Sequence, residues 1–332
     1  MKSKKWFTTI ALSAMLGSTI TWGVQRLIEK REDSEYANQI NLEYKRGQGF
    51  KYIKPLRFVE NKLEDPDYLS LKKDLQTTID SLQQSGSLSS ASVYLRDFDK
   101  SGWIHVNPDN RFHPGSLLKM GALFNILQQA ELDSNFLGKA IVYKPTQEFT
   151  PPQTFNTKSI KEGEHYSIEQ LLEYMIAFSD NKATSAIHPF IQYQRYLKNF
   201  RELNLSDPVG SNANYLLKAN EISVFLKVLY NGTFLSPLMS EKAMDILMKC
   251  DFKKGMSAGL PPTVPIAHKF GEYGNSKGDH ELHETGIIYL REKPYLLTIM
   301  TSGKKVENLA SSIALLTKKT SHYLLHLPSK KH

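Results

Sequence analysis

Ser116-Leu-Leu-Lys-Met-Gly-Ala-Leu-Phe-Asn-Ile-Leu-Gln-Gln-Ala130, introduced by Pro114-Gly115, is the stretch from which the rest of the chain is read. Its first residues are apolar almost all round, the mark of a helix buried in a core rather than lying on a surface. Positions three apart share a helix face, so Lys119 stands one turn from Ser116. A lysine beside a hydroxyl in a buried setting loses solvation, which disfavours its charged form and equips it as a base for a nucleophile. A charged lysine inside an apolar helix also needs a buried partner. Ser-x-x-Lys recurs at Ser70–Lys73, Ser179–Lys182 and Ser302–Lys305, so the spacing alone says little and the apolar context carries the argument.

Two further triplets stand downstream. Ser179-Asp180-Asn181 follows the apolar run Leu171–Phe178, which places polar tips at the end of a second core helix. An ordinary helix C-cap with Asn in a turn has the same look. Lys269-Phe270-Gly271 follows Val264-Pro-Ile-Ala267 and precedes two strand-like runs, Gly286–Leu290 and Tyr295–Met300, joined by Arg291–Pro294. This is a hairpin pattern, and it puts Lys269 on the neighbouring antiparallel strand. A lone lysine there is ordinarily a solvated edge residue.

Taken in this order, the three triplets resemble the class A β-lactamase-like serine hydrolases within the penicillin-recognising group, from about Asp67 to Leu325. His165-Tyr-Ser-Ile-Glu-Gln-Leu-Leu172 leading to Ser179-Asp-Asn-Lys-Ala-Thr184, and Gly255-Met-Ser-Ala-Gly-Leu-Pro261 before Ala267-His-Lys269, extend the likeness. The resemblance implies catalytic roles for Ser116, Lys119, Ser179 and Lys269. Ser116 attacks an amide carbonyl, Lys119 takes its proton, and Ser179 passes a proton to the leaving nitrogen in the positive field of Lys269. It further implies substrate binding by Asn181, Gly271 and Glu272, with the Ser116 and Glu272 N–H groups as oxyanion hole.

Two departures stand out. Phe270 occupies a position where the resembling enzymes carry a hydroxyl that helps hold the substrate's carboxylate. The class A enzymes also place a water-activating glutamate between the Ser-Asp-Asn helix and the helix at Asn220, whereas Lys182–Asn220 holds only Glu202 and Asp207 among acids. Without that base an acyl-enzyme should hydrolyse slowly, with Glu272 and Glu202 the only substitutes to consider. Three functional readings follow: a hydrolase opening β-lactam amides, a D,D-carboxypeptidase or peptidoglycan hydrolase with slow deacylation, and a catalytically weak wall-binding protein.

The composition agrees with an envelope enzyme. The chain has 332 residues, ample hydrophobic content at 40%, and a net charge of +8. Its lysines are dispersed and no nucleic-acid-binding motif accompanies them, so the charge suits an anionic envelope rather than nucleic acid. Cys250 is the only cysteine, which excludes an internal disulfide. His280 and His283 read as solvated loop residues, and no metal or cofactor is called for. Lys2, Lys4 and Lys5 precede Trp6–Val24, an uncharged run long enough to span a bilayer. It reads as an uncleaved anchor, or else a signal peptide, that places the domain outside the cytoplasm.

The expected organisation is therefore an anchor or signal over 1–25, a stalk or linker over 26–66, and a catalytic domain over 67–328, acting as a monomer on a β-lactam or D-Ala-D-Ala peptide. Within it, helices are expected at Tyr68–Gln84, Ser116–Ala130, up to Ser179, at Asn220–Tyr230, Ser240–Met248 and Val306–Leu324. Strands are expected at Ser92–Phe98, Trp103–Asn107 and, three of them, between Ile266 and Thr301, with an irregular excursion at Tyr143–Gly163. Strands at both ends with helices between imply an α/β sandwich. Its antiparallel sheet has flanking helices and an inserted, mostly helical subdomain, the β-lactamase/transpeptidase-like arrangement, with a site between sheet edge and helices.

Overall fold

The computed structural model describes residues 26, 42–47, 52–145, 153–208, 215–275 and 278–327. The segment Trp6–Val24, read as an anchor, lies outside them. The chain divides into two units, Met1–Glu43 with Asn61–Leu63, and Tyr44–Glu60 with Glu64–His332. Of the first, only Arg26, Leu42, Glu43 and Asn61–Leu63 are described. Apart from Leu42 and Glu43 in the first strand and Asn61 in the second, everything below concerns the second unit.

In chain order the strands are β1 (Leu42–Arg46), β2 (Leu56–Asn61), β3 (Ser90–Asp97), β4 (Trp103–Val106), β5 (Ala140–Val142), β6 (His165–Ser167), β7 (Ile266–Gly274), β8 (His280–Leu290) and β9 (Lys293–Gly303). Five of them form an antiparallel sheet in the order β4-β3-β9-β8-β7, so strands from opposite ends of the domain pair at its centre and β7 is an edge. Register is set by a two-residue turn, Arg291-Glu292, with φ of 49° and 65°, between the paired residues Leu290 and Lys293. Two consecutive left-handed residues match the right-handed twist of the flanking strands.

The helices are α1 (Leu69–Gln84), α2 (Lys119–Ala130), α3 (Ile168–Ala177), α4 (Asn181–Ile187), α5 (Tyr193–Glu202), α6 (Ala219–Ile222), α7 (Val224–Tyr230), α8 (Pro237–Met248), α9 (Met256–Gly259) and α10 (Val306–His326). Side chains alternate across each strand, and the two faces of the sheet meet different helices. Leu95, Ile104, Leu297 and Ile299 pack with Leu71 and Leu75 of α1 and Ile313 of α10. Tyr94, Ala267, Ile287 and Leu296 pack with α2, α3, α7 and α8 through Phe124, Leu172, Phe225 and Leu247. The sandwich expected from the sequence is what forms.

Three local differences have plain causes. Leu56–Asn61, read as part of a linker, forms β2, and its Phe58 reaches the core. Helices α4 and α5 lie where none was anticipated, and α4 starts because Asp180 caps it, accepting from Lys182 N at 3.0 Å. β8 begins at His280, earlier than its apolar run, because its polar side chains find partners. His283, expected in a solvated loop, is fully buried: its Nε2 donates to His113 O at 2.9 Å and its Nδ1 accepts from Thr301 N at 3.2 Å.

Candidate active site

The turn carrying Ser116 is a 3-10 segment, Gly115–Leu118, leading into α2. In a 3-10 turn residues i and i+3 nearly eclipse, so Ser116 and Lys119 share a face as expected. Two glycines let edge strand β7 approach this turn. Gly115 has φ +53°, and a Cβ there would collide with Glu272 O; a Cβ on Gly271 would sit 2.7 Å from Pro114 O and 2.9 Å from Leu117 N. Two positions before Gly115 the chain is bound to the sheet as well. His113 N donates to Glu281 Oε2 at 2.7 Å, and its ring stacks on Tyr273 at 3.9 Å. Ser116 is half-buried at this junction of helix and strand.

Lys119 is one of nine buried residues among the twelve of α2. Its ammonium finds the buried partners that its position demands: it donates to Ser179 O at 2.5 Å and Asn181 Oδ1 at 2.7 Å, with Ser179 Oγ at 3.5 Å. No Ser116–Lys119 side-chain bond forms among the described residues. Burial is the main force pushing the Lys119 pKa well below the usual lysine range, and the charge of Lys269 pushes the same way, against Asp180 and Glu272. Lys119 of α2, Ser179 of the α3–α4 loop and Asn181 at the start of α4 thus meet at the Lys119 ammonium, with Ser116 one 3-10 turn from Lys119 along the chain.

That loop is held in a costly shape. Ser179, fully buried, has φ +56°, a left-handed conformation that non-glycine residues keep only where surroundings over-determine it. The surroundings here are a polar web. Asp180 accepts from Ser159 Oγ and Ile160 N, both at 2.9 Å, and its own N donates to Tyr174 O at 3.0 Å. Gln153 Nε2 donates to Ser179 O at 2.6 Å, while Gln153 Oε1 accepts from Asn181 N at 3.3 Å. Sequence reading missed Gln153 and Asp180. Asp180 was legible as a helix cap, whereas Gln153 sits in the irregular excursion and carries no local signal.

The strand side of the site differs from expectation. Lys269 is buried rather than solvated, and its ammonium folds back on its own strand, donating to Phe270 O at 2.7 Å rather than reaching Ser179. Burial brings its pKa down to about 8, opposed by Cys250, Glu272 and Glu284. Phe270 does not stand in for a substrate-binding hydroxyl. It belongs to the α1/α10 core, 1% exposed and stacked on Phe252 at 4.6 Å. On the same side His268 Nδ1 meets Glu284 Oε1 at 2.5 Å. Burial alone would lower the His268 pKa, yet Cys250 and Glu284 raise it to about 10.

Neither acid considered as a substitute base is unengaged. Glu272 accepts from Thr154 N at 3.0 Å and Phe155 N at 3.1 Å, tying the excursion to β7. Glu202 pairs with Arg57 at 3.2 Å and Lys198 at 3.6 Å, partners outside the Ser116 cluster, and is no candidate.

A turn bearing Ser116 and Lys119, a strained Ser-Asp-Asn loop and a lysine on an edge strand are set between an antiparallel sheet and a helical layer. The sequence profile of the β-lactamase enzyme family matches residues 70–324, and the chain belongs to that family. Among solved structures it is similar to the TLA-3 extended-spectrum β-lactamase (17% identity, TM-score 0.67, covering 76% of this chain and 99% of that one). It is similar to PBP-A (19%, 0.64, 77% and 96%) and to a β-lactamase from Chitinophaga pinensis (14%, 0.65, 76% and 99%). At these identities the likeness is one of fold, the β-lactamase/transpeptidase-like fold. No curated protein matches the chain.

Proposed function

We infer that the protein is a serine hydrolase acylated at Ser116 that opens β-lactam or related amides. The observation that carries this reading is the Lys119 ammonium, buried and held between Ser179 O and Asn181 Oδ1 one 3-10 turn from Ser116. With its pKa lowered by burial, Lys119 gives up its proton more readily than an ordinary lysine and, once neutral, accepts that of the Ser116 hydroxyl as the Oγ–carbonyl bond forms. Ser179 hands its proton to the departing nitrogen and takes up the one that Lys119 accepted, across the 3.5 Å between Lys119 Nζ and Ser179 Oγ, while Lys269, still charged below pH about 8, favours the negative charge that develops. Asn181 binds the substrate amide, beside Gly271 and the N–H groups of Ser116 and Glu272.

A second reading rests on a specific observation. Glu272 is engaged by two backbone N–H groups and Glu202 by Arg57, so neither supplies a deacylating base. This favours a long-lived acyl-enzyme, the behaviour of a D,D-carboxypeptidase acting on a D-Ala-D-Ala peptide outside the cytoplasm. Among the described residues no helix is long and apolar enough to cross a membrane, so anchoring rests on Trp6–Val24 alone.

Labelling with a fluorescent penicillin tests both readings. Mass spectrometry is expected to place the adduct on the peptide containing Ser116, and Ser116→Ala to abolish it. Rapid loss of label identifies β-lactamase turnover and persistent label the peptidase. Labelling at full rate in Ser116→Ala refutes the nucleophile assignment.

A further inference from the structure

We propose that a cavity between α2, α5 and β2, apart from the Ser116 cluster, binds a phosphorylated small molecule of the sugar- or polyol-phosphate class. The cavity has a volume of about 480 Å³, in the range of small-molecule sites. Gln128 marks its place: nine residues beyond Lys119 on α2, roughly 13 to 14 Å along the helix axis.

Its charge is unbalanced. Arg57, Arg195 and Lys198 line it against one carboxylate, Glu202, so three cations face one anion and a surplus of two positive charges remains. Arg57 is a built element rather than a loose surface residue. It is 8% exposed, its guanidinium lies 4.7 Å from the Phe234 ring centroid, and it donates to Thr233 O and to Glu202 Oε2. Its Nε has no hydrogen-bond partner among the described residues, a buried donor left unsatisfied. Arg195 has no ion pair among the described residues.

The backbone adds to this field. Gln194 and Arg195 lie in the first turn of α5, whose N-cap Gln192 makes no side-chain cap bond. The Gln192 amide instead donates to Gln129 Oε1 at 3.1 Å. The N–H groups of that turn therefore keep their partial positive charge, which adds to the two arginines and the lysine.

A dianion matches the surplus, and a phosphate offers enough oxygens to take a guanidinium fork, an ammonium and backbone N–H groups together. The remaining wall is neutral and polar. Asn199 Nδ2 donates to Gln128 Oε1 at 2.9 Å, which orients the Gln128 amide and leaves its NH2 to donate, and Gln194 adds a second amide. Amides of this kind suit the hydroxyls of a sugar or polyol attached to the phosphate, and the volume leaves room for one.

Isothermal titration of the full chain at constant ionic strength tests this, with glucose 6-phosphate, inorganic phosphate and glucose as separate probes. Glucose 6-phosphate is expected to bind saturably, inorganic phosphate more weakly, and glucose not at all. The double variant Arg195→Glu/Lys198→Glu is expected to weaken glucose 6-phosphate binding by about tenfold or more, the scale of losing charge-assisted bonds. Its fluorescent-penicillin labelling is expected to match the wild type, which separates this proposal from the Ser116 assignment. Arg195→Gln, the milder variant at an incompletely buried position, is expected to weaken binding in the same direction and guards against misfolding of the double one. Heat that fails to saturate, equal affinity for phosphate with and without the sugar, or undiminished binding by Arg195→Gln would overturn the proposal.

Discussion

Replacing Lys119 by Met removes the ammonium while keeping an unbranched apolar stem in a tightly packed helix. The geometry sets what is lost: bonds of 2.5 Å to Ser179 O and 2.7 Å to Asn181 Oδ1. Ser179 O keeps its second donor, Gln153 Nε2 at 2.6 Å, so the main loss is the bond to Asn181 Oδ1, beside the 3.5 Å contact with Ser179 Oγ, at about 1–3 kcal/mol. Against that stands the relief of burying an ammonium, so net stability should change by no more than about 2 kcal/mol. Chemistry is affected far more. Loss of a general base typically costs ~10²-fold or more, which is about 3 kcal/mol in barrier height. Stopped-flow acylation by a chromogenic cephalosporin, beside a urea melt of the same sample, separates the two effects. In the wild type the acylation rate should rise with pH as Lys119 deprotonates and fall above about pH 8 as Lys269 loses its charge. The variant should lose the acidic limb and keep the alkaline one. A rate within threefold of wild type, or an unchanged acidic limb, refutes the assignment of Lys119 as base.

Four further outcomes are expected. Phe270→Thr, which restores the hydroxyl common among resembling enzymes, should cost ~3–5 kcal/mol in a denaturant melt, since the ring is buried against Phe252 and not in the site. Gly115→Ala should destabilise by at least ~1 kcal/mol and slow acylation, because its φ is +53° and its Cβ meets Glu272 O; an unchanged melt would remove the strand–turn approach from the argument. Glu272→Ala leaves Thr154 N and Phe155 N without their acceptor, so amide exchange at 154–155 should accelerate while the global melt moves little. Burial opposes ionisation of Glu60, but Lys227 and Arg96 hold its pKa near 2, below its ordinary 4.5. A depressed carboxylate contributes stability above its unfolded pKa and loses it as pH falls, so about 3 kcal/mol should vanish between pH 4.5 and 2, and Glu60→Gln should flatten that limb.

The sequence by itself determined the elements whose signals are local. The apolar run after Ser116 reads as a buried helix, and the runs flanking Arg291–Pro294 read as a hairpin. The order of the three triplets around them identified the family, because each stands beside or within an element with its own periodicity. Tertiary structure alone decided which groups meet. Lys119 bonds to residues sixty and more positions away, Gln153 reaches Ser179 from an irregular stretch, and Glu272 is taken up by Thr154 and Phe155. The periodicity of a strand offers Phe270 two faces and does not say which is core, so its place against Phe252 was invisible until the sheet was packed. His283 reads as solvent-seeking because intrinsic polarity is a property of the residue, whereas burial depends on partners that folding supplies, here Thr301 N and His113 O; Glu284, on the same strand, is buried in the same way against His268 and Met256 N. A side chain's type is written in the chain, but its desolvation, and with it the lowered pKa of Lys119 and of Lys269, exists only once the helices and the sheet have closed around it.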